Sequence, residues 1–316
     1  MTKGWARPRG RQKKRPPREI ATDPIGAELL SYAVKSPAEV NRIDLDRFLV
    51  ETSAEQLGSR APPVERLLRL AMVAVRCTET DAQPEGWLAL KRICDRARQI
   101  AKREVMDVLV TTANLAGACA SGRDEEPHDP DPVAVRIRRD AYAAVHEALS
   151  IEPDHEAAHE VLGRIAFEDP ERDTADALHA FLRAGGSPLV TYYVACCQQE
   201  LGRFADALAT YDRVDVGAFD RMGESWRREV FLENRAFCAW RADDLERAEV
   251  EFRALVDRWE KDLSLALDAP LVSLVAAGAG PFRDSLGPRV RRLCVHVEDR
   301  GLVKLFDTLR QEHDSR

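Results

Sequence analysis

The stretch Leu201-Gly-Arg-Phe-Ala-Asp-Ala-Leu-Ala-Thr-Tyr211 decides the fold, because its spacing of small and bulky residues occurs in four segments of the chain. A small residue, Ala207, is followed four positions later by the bulky Tyr211 and three further on by the apolar Val214. On a helix these positions share a face, and the small residue lets a partner helix approach closely. The corresponding residues of the other three segments are Ala141, Val145 and Ala148; Ala177, Phe181 and Ala184; and Ala248, Phe252 and Leu255. The pattern predicts stacked helix pairs, an architecture that usually binds another chain.

Around these segments the chain resembles the tetratricopeptide repeat (TPR) family. The stretch quoted above resembles the family's turn into its second helix. The stretch 234–245 resembles the region of the first helix that carries the family's Leu-Gly pair, with Ala236 in the glycine position. The stretch Ile151-Glu-Pro-Asp-His-Glu-Ala-Ala-His-Glu-Val-Leu-Gly163 resembles the junction into a first helix, with Pro153 in the proline position and His159 in the usual tryptophan position. The resemblance implies an all-α fold, an irregular TPR-like α-solenoid of antiparallel helix pairs with helical N- and C-terminal extensions.

The repeat is irregular, because the four aligned alanines are separated by 36, 30 and 41 residues, whereas the family's period is about 34. Four regions are predicted: a disordered basic tail over 1–22, an N-terminal helical region over 23–102, the TPR-like array over 103–260 and capping helices over 261–316. Within the array, apolar periodicity predicts three helix pairs. They are 155–168 with 174–184, 189–201 with 204–214, and 229–241 with 245–259. Two or three further helices are predicted after residue 262, and no strand is predicted anywhere.

The charge distribution is asymmetric along the chain. Residues 1–19 carry a net charge of +7 within a total of −7 for all 316 residues. Such a tail either attaches to nucleic acid or another polyanion or is a solvated terminus, and with Trp5 as its one aromatic residue we favour the solvated terminus. Arginine far outnumbers lysine (39 against 8), which is typical of a GC-rich bacterial coding sequence.

The cysteines and the most apolar stretch both indicate a cytoplasmic protein. The seven cysteines include no C-x-x-C pair and mostly fall in apolar helical runs, as reduced, buried cysteines do. Residues 265–282 are too short to span a bilayer and are interrupted by Asp268, Pro270 and Pro281. We therefore expect no membrane association.

One short motif suggests an alternative function. His155-Glu156-Ala157-Ala158-His159 matches H-E-x-x-H, which on a helix can place two imidazoles on zinc with the glutamate as general base. The same residues fall in register with the repeat, and the positions for a third histidine in the extended motif hold Leu162 and Ile165. We interpret the match as coincidence and predict no cofactor, with a zinc-dependent hydrolase using His155 and His159 as the alternative.

The inner face of the array is the predicted binding surface. By the resemblance, the first helix of each pair lines this face with Glu160, Arg164, Phe167, Tyr192, Cys196, Gln199, Glu233, Phe237, Trp240 and Arg241. Aromatic residues beside arginine are good anchors for a partner, although Phe237 and Trp240 could equally cover the next helix pair. We predict a non-enzymatic adaptor that binds a peptide or helix of a partner protein in this groove, with a nucleic-acid-associated regulator anchored by the basic tail as a further alternative.

Overall fold

The computed structural model describes most of the chain after residue 100. The described residues are 101–121, 132–171, 173–221, 225–297 and 299–315, together with Ala71, Lys91, 93–95 and 97–99. Within them the fold is all-α, with packed helix pairs and no strand. The predicted tail, 1–22, and most of the predicted region 23–102 lie outside the described residues.

The chain divides into two compact units between Gly185 and Gly186. The first contains helices α1 (Val105–Ser121), α2 (Pro132–Ile151), α3 (Glu156–Glu168) and α4 (Thr174–Arg183). The second contains α5 (Pro188–Glu200), α6 (Phe204–Tyr211), α7 (Gly217–Arg221), α8 (Arg227–Arg241), α9 (Leu245–Lys261), α10 (Leu263–Ala266), α11 (Val272–Ala279), α12 (Arg283–His296) and α13 (Arg300–Asp314). The division falls inside 103–260, and the predicted limits of the regions stay predictions.

In the first unit, α1 packs on α2 and α3, and α3 packs on α4. A buried polar contact joins α2 to the end of α3. Asp169 accepts a hydrogen bond from the Tyr142 hydroxyl at 3.0 Å, and Arg138 lies 3.6 Å from the other carboxylate oxygen. Arg138 and Asp169 are both buried, and a buried charge needs such a partner because it has lost its water.

The crossing of α3 and α4 is especially close at Gly163. A methyl group built on Gly163 would lie 2.7 Å from two ring carbons of Phe181, which is fully buried. Carbon atoms that are not bonded normally stay about 3.5–4.0 Å apart. The absence of a side chain at Gly163 therefore allows the Phe181 ring to lie directly against the α3 backbone.

The second unit contains two hairpins, α5–α6 and α8–α9, that turn in the same way. Gly202 and Asp243, 41 positions apart, both have positive φ, +74° and +64°. In each turn the backbone N–H of the positive-φ residue donates to the carbonyl oxygen three positions before it. The N–H of the following residue donates to the carbonyl oxygen five positions before itself, and all four distances are 2.8–3.1 Å. This is the Schellman motif, in which a residue in the left-handed conformation ends a helix.

A buried glutamate fastens the hairpin α8–α9. Glu229 accepts hydrogen bonds from the Arg258 guanidinium at 2.8 and 3.0 Å and from the Trp259 indole N–H at 2.8 Å. Glu229 and Trp259 are almost completely buried. The carboxylate of Glu229 thus has hydrogen-bond donors although it is buried. These bonds to Arg258 and Trp259 keep the N-terminal end of α8 next to the C-terminal end of α9.

The C-terminal helices close around α11, which packs on α8, α12 and α13. Two glycines allow α11 and α12 to cross at short distance. A methyl group on Gly278 would meet Val290 at 2.9 Å, and one on Gly287 would meet the Gly278 carbonyl oxygen at 2.9 Å. The backbones of the two helices are therefore in direct contact at this crossing.

The described helices agree with the three predicted pairs, and each predicted bound lies within three residues of the observed one. The residues of the repeated pattern of a small, a bulky and an apolar residue are all buried, none being more than 8 % exposed. Two features were not predicted. The short helix α7 lies between the hairpins, and four helices rather than two or three follow Asp262.

The contact at Gly163 gives a stability prediction. We expect Gly163→Ala to lower the free energy of unfolding by about 1–2 kcal/mol. Overpacking costs about 1–3 kcal/mol, the 2.7 Å approach to the fully buried Phe181 ring places this site in the upper part of that range, and the gain in helix propensity returns about 1 kcal/mol. Urea denaturation followed by circular dichroism measures the difference.

Gly186→Ala is the matched control, since nothing lies within 4 Å of the added methyl group. It should change the unfolding free energy by less than about 0.5 kcal/mol. Equal effects of the two substitutions would show that the α3–α4 crossing tolerates a side chain.

Candidate functional site

Three aromatic side chains and one arginine meet at the C-terminal end of α8. The ring centres of Phe204 and Phe237 are 5.7 Å apart and those of Phe237 and Trp240 are 5.9 Å apart, each pair nearly perpendicular. The Arg241 guanidinium carbon lies 4.6 Å from the centre of the Phe204 ring and 5.8 Å from that of Phe237. We call these four residues the aromatic surface.

The secondary structure explains why the aromatic surface forms. Phe237, Trp240 and Arg241 have helical spacings of three and four, so they share one face of α8. Phe204 is the first residue of α6, which packs on α8. The three aromatic residues are partly buried and Arg241 is exposed, so rings and guanidinium reach solvent together. Such a mixture of accessible rings and arginine is typical of binding hot spots.

Arg241 differs from most arginines of the second unit. Its guanidinium makes neither a hydrogen bond nor an ion pair with any residue in the described ranges. Arg235, Arg247, Arg253 and Arg258, on α8 and α9, each contact a carboxylate. The contacts that Arg241 does make are with the faces of two aromatic rings.

Trp240 also extends inward. Its ring centre lies 6.4 Å from that of Phe282, which is buried and lies 6.1 Å from Phe252. The sequence leaves open whether Phe237 and Trp240 bind a partner or cover the next helices. Both side chains are partly exposed and partly packed, so they can do both.

Tyr192 needs a correction, because it does not lie on an open groove. It is 4 % exposed, and its ring makes an edge contact with Phe219 of α7 at 5.4 Å between centres. Tyr211 and Phe231 complete this cluster, with ring centres 6.3 Å from Tyr192 and 6.1 Å from Phe219 respectively. The unpredicted helix α7 therefore places Tyr192 in the core. Cys196, also predicted on this face, is likewise buried, and burial raises the pKa of its thiol to about 11.

Glu233 needs a correction as well, because it is fully buried. Its carboxylate accepts hydrogen bonds from the Leu271, Ser273 and Leu274 amides at 3.0–3.2 Å and from the Ser273 hydroxyl at 2.9 Å. Burial raises the pKa of Glu233, and the hydrogen bonds oppose that shift. Leu271 precedes α11, has φ +58° and offers no side-chain cap. Glu233 therefore caps the N-terminus of α11 from another helix.

Gln199 lies inside a polar network that joins α5, α6 and α8. Its side-chain oxygen accepts hydrogen bonds from the Tyr211 hydroxyl at 3.0 Å and the Cys238 thiol at 3.3 Å. Its amide nitrogen donates to the Asn234 side chain at 3.4 Å. The side chain is partly exposed, but its donor and its acceptor are both engaged. The structure thus gives Gln199 an internal role.

Glu160, Arg164 and Phe167 belong to the first unit. They have helical spacings of four and three on α3 and are all partly buried. The Arg164 Nε atom is buried and has no hydrogen-bond partner among the described residues. Their participation in a binding groove stays a prediction.

Both histidines of the H-E-x-x-H match take part in the turn before α3. His155 is the N-cap residue, and its Nδ1 accepts from the Ala158 amide at 3.2 Å. His159 is 3 % exposed, and its Nε2 lies 2.8 Å from the Pro153 carbonyl oxygen, to which it must donate. Within the described residues no group of three His, Cys, Asp or Glu side chains is arranged to hold a metal ion. Among the described residues, both imidazoles are engaged in this turn, and the zinc alternative stays untested.

Phe204 and Phe282 were missed by the sequence analysis. Phe204 begins a helix, and its position three residues before Ala207 places it one turn from the repeat's small residue. That spacing was a usable signal. Phe282 follows an apolar run that contains Gly278 and Gly280, and no sequence pattern marks it as a neighbour of Trp240.

Comparison of the chain with protein-family models and with curated proteins finds no match. Among the described helices, none combines the length and the apolar character needed to cross a bilayer. The basic residues over 1–19 lie outside the described residues, so the nucleic-acid alternative stays a prediction.

The cap on α11 gives the next prediction. We expect Glu233→Gln to lower the free energy of unfolding by about 1–3 kcal/mol. The glutamine side chain would turn its NH₂ group towards backbone N–H groups, and a donor cannot accept a hydrogen bond from another donor. Urea denaturation measures the change. Glu312→Gln, on an exposed glutamate of α13, is the control and should change stability by less than about 0.5 kcal/mol. Two equal, small effects would contradict the capping role.

Proposed function

We propose that this protein is a non-enzymatic adaptor that binds a peptide or helix of a partner protein. In this proposal the helix pairs belong to an irregular TPR-like α-solenoid, and the partner docks on the aromatic surface of the second unit. The apolar side chains of the partner lose water against Phe237 and Trp240, and this burial supplies most of the affinity.

The repeated hairpin is the observation that carries the proposal. The Schellman turns at Gly202 and Asp243 are separated by 41 residues, the same distance that separates Ala207 from Ala248. Both alanines are completely buried. Two hairpins with the same turn and the same buried positions support a repeat architecture, and repeat proteins of helix pairs mainly bind other chains.

The insertion of α7 supports the choice of surface. Because α7 covers Tyr192 and the N-terminus of α11 covers Glu233, those parts of the predicted face are engaged within the unit. Among the described residues of this face in the second unit, the rings of the aromatic surface still reach solvent. A partner that uses this face would therefore contact Phe237, Trp240 and Arg241.

The test is affinity capture with a matched pair of variants. Immobilised wild-type protein is exposed to extract of the native cells, and the captured proteins are identified and quantified by mass spectrometry. The double variant Phe237→Leu, Trp240→Leu should capture its specific partner at least tenfold less, about 1.4 kcal/mol, because leucine lacks the flat ring surface that anchors the ligand.

Trp226→Leu serves as the control, since Trp226 is an exposed tryptophan of the same unit outside the aromatic surface. It should capture the partner as well as the wild-type protein does. Far-UV circular dichroism and thermal melts of all variants separate lost binding from lost folding. Unchanged capture by a folded double variant would contradict the proposal.

A further inference from the structure

The guanidinium of Arg241, which has no ion-pair partner among the described residues, indicates the chemistry of the partner protein. Five other arginines of α8 and α9 are ion-paired, whereas Arg241 contacts two ring faces and, in the part of the chain that the structure describes, no carboxylate. A ring face balances part of the positive charge but does not occupy the in-plane N–H groups. Arg241 is therefore an exposed donor fork that is already held in place.

A carboxylate is the group that suits such a fork. Arginine binds it through two parallel N–H···O bonds, and stacking on Phe204 and Phe237 reduces the side-chain entropy that is lost on binding. A polyanion such as nucleic acid needs a group of cations, but the chain outside residues 1–19 has a net charge of −14. The Arg241 fork on an acidic body therefore suits a single carboxylate.

The geometry of the aromatic surface limits the distance between the carboxylate and the apolar side chain of the ligand. The guanidinium carbon of Arg241 lies 5.8 Å from the centre of the Phe237 ring. In an extended peptide, residues two positions apart point to the same side at a separation of about 6.6 Å. A carboxylate and an apolar side chain at positions i and i+2 would therefore reach Arg241 and Phe237 together.

We propose that the aromatic surface recognises an extended acidic–apolar segment of a partner protein. An Asp or Glu side chain of this segment binds Arg241, and an apolar or aromatic side chain two positions away packs on Phe237 and Trp240. This inference rests on the proposed adaptor function and specifies its ligand.

The experiment is selection from a phage-displayed library of random 12-residue peptides on the immobilised full-length protein. Wild-type protein should enrich peptides that carry Asp or Glu two positions from Leu, Phe, Tyr or Trp. The dissociation constant of the best peptide, measured by fluorescence anisotropy, should rise at least tenfold in Arg241→Gln. Arg253→Gln is the control: it removes the same charge from an exposed arginine that is paired with Glu249, and it should bind normally.

The outcomes separate this inference from the proposed function. Enriched peptides without an acidic residue, which bind Arg241→Gln normally but lose affinity for Phe237→Leu, would overturn the inference and leave the adaptor function intact. Peptides that bind Phe237→Leu and Arg241→Gln as well as wild type would overturn both. No enrichment at all would overturn the inference of an extended ligand, and affinity capture with the double variant would then decide the adaptor function. Self-association of the wild-type protein that is lost in Arg241→Gln would assign the surface to a second copy and also overturn the inference.

Discussion

Close contact between small residues on one helix and bulky residues on the next is the constraint on which the structure depends. In each of the four segments that repeat a small, a bulky and an apolar residue, all three residues are buried. The bulky residues Phe181, Tyr211 and Phe252 have no exposed surface. At Gly163 the approach is so close that even a methyl group would collide with Phe181. Because interiors are packed as densely as organic crystals, this contact fixes how far apart the paired helices lie and which side chains remain outside.

Apolar periodicity in the sequence predicted the helix pairs well, and the structure adds local caps on which that prediction did not rely. Asp173, Ser187 and Asp244 each cap the helix that follows them through a side-chain hydrogen bond, and Pro188 follows Ser187 at the first helical position. These signals act within a few residues, so they can be read without knowledge of the tertiary structure. The candidate site depended on contacts between distant residues. Nothing near Glu233 in sequence indicates that it receives hydrogen bonds from residues 271–274, and nothing near Tyr192 indicates that Phe219 covers it.

The two insertions change what the predicted face can do. Helix α7 and the segment that begins α11 engage residues that would line a groove in a simple repeat, and each engages them with a satisfied contact: ring against ring at Tyr192, and carboxylate against amides at Glu233. In the second unit, the aromatic surface stays partly accessible. The charge of Arg241 is balanced by ring faces alone among the described residues, whereas its neighbours use carboxylates. A surface of this composition is suited to the recognition of a short segment that we propose.

The central claim is that a partner docks on the α8 end of the second unit. Site-specific photocrosslinking in the native cells tests it most directly, with the photoreactive residue p-benzoylphenylalanine placed at Trp240 or, as a reference, at Val250, which is 63 % exposed on α9. The account predicts one dominant crosslinked protein from position 240 and none from position 250. Crosslinks from position 250 without any from position 240, in protein whose circular dichroism is unchanged, would contradict it.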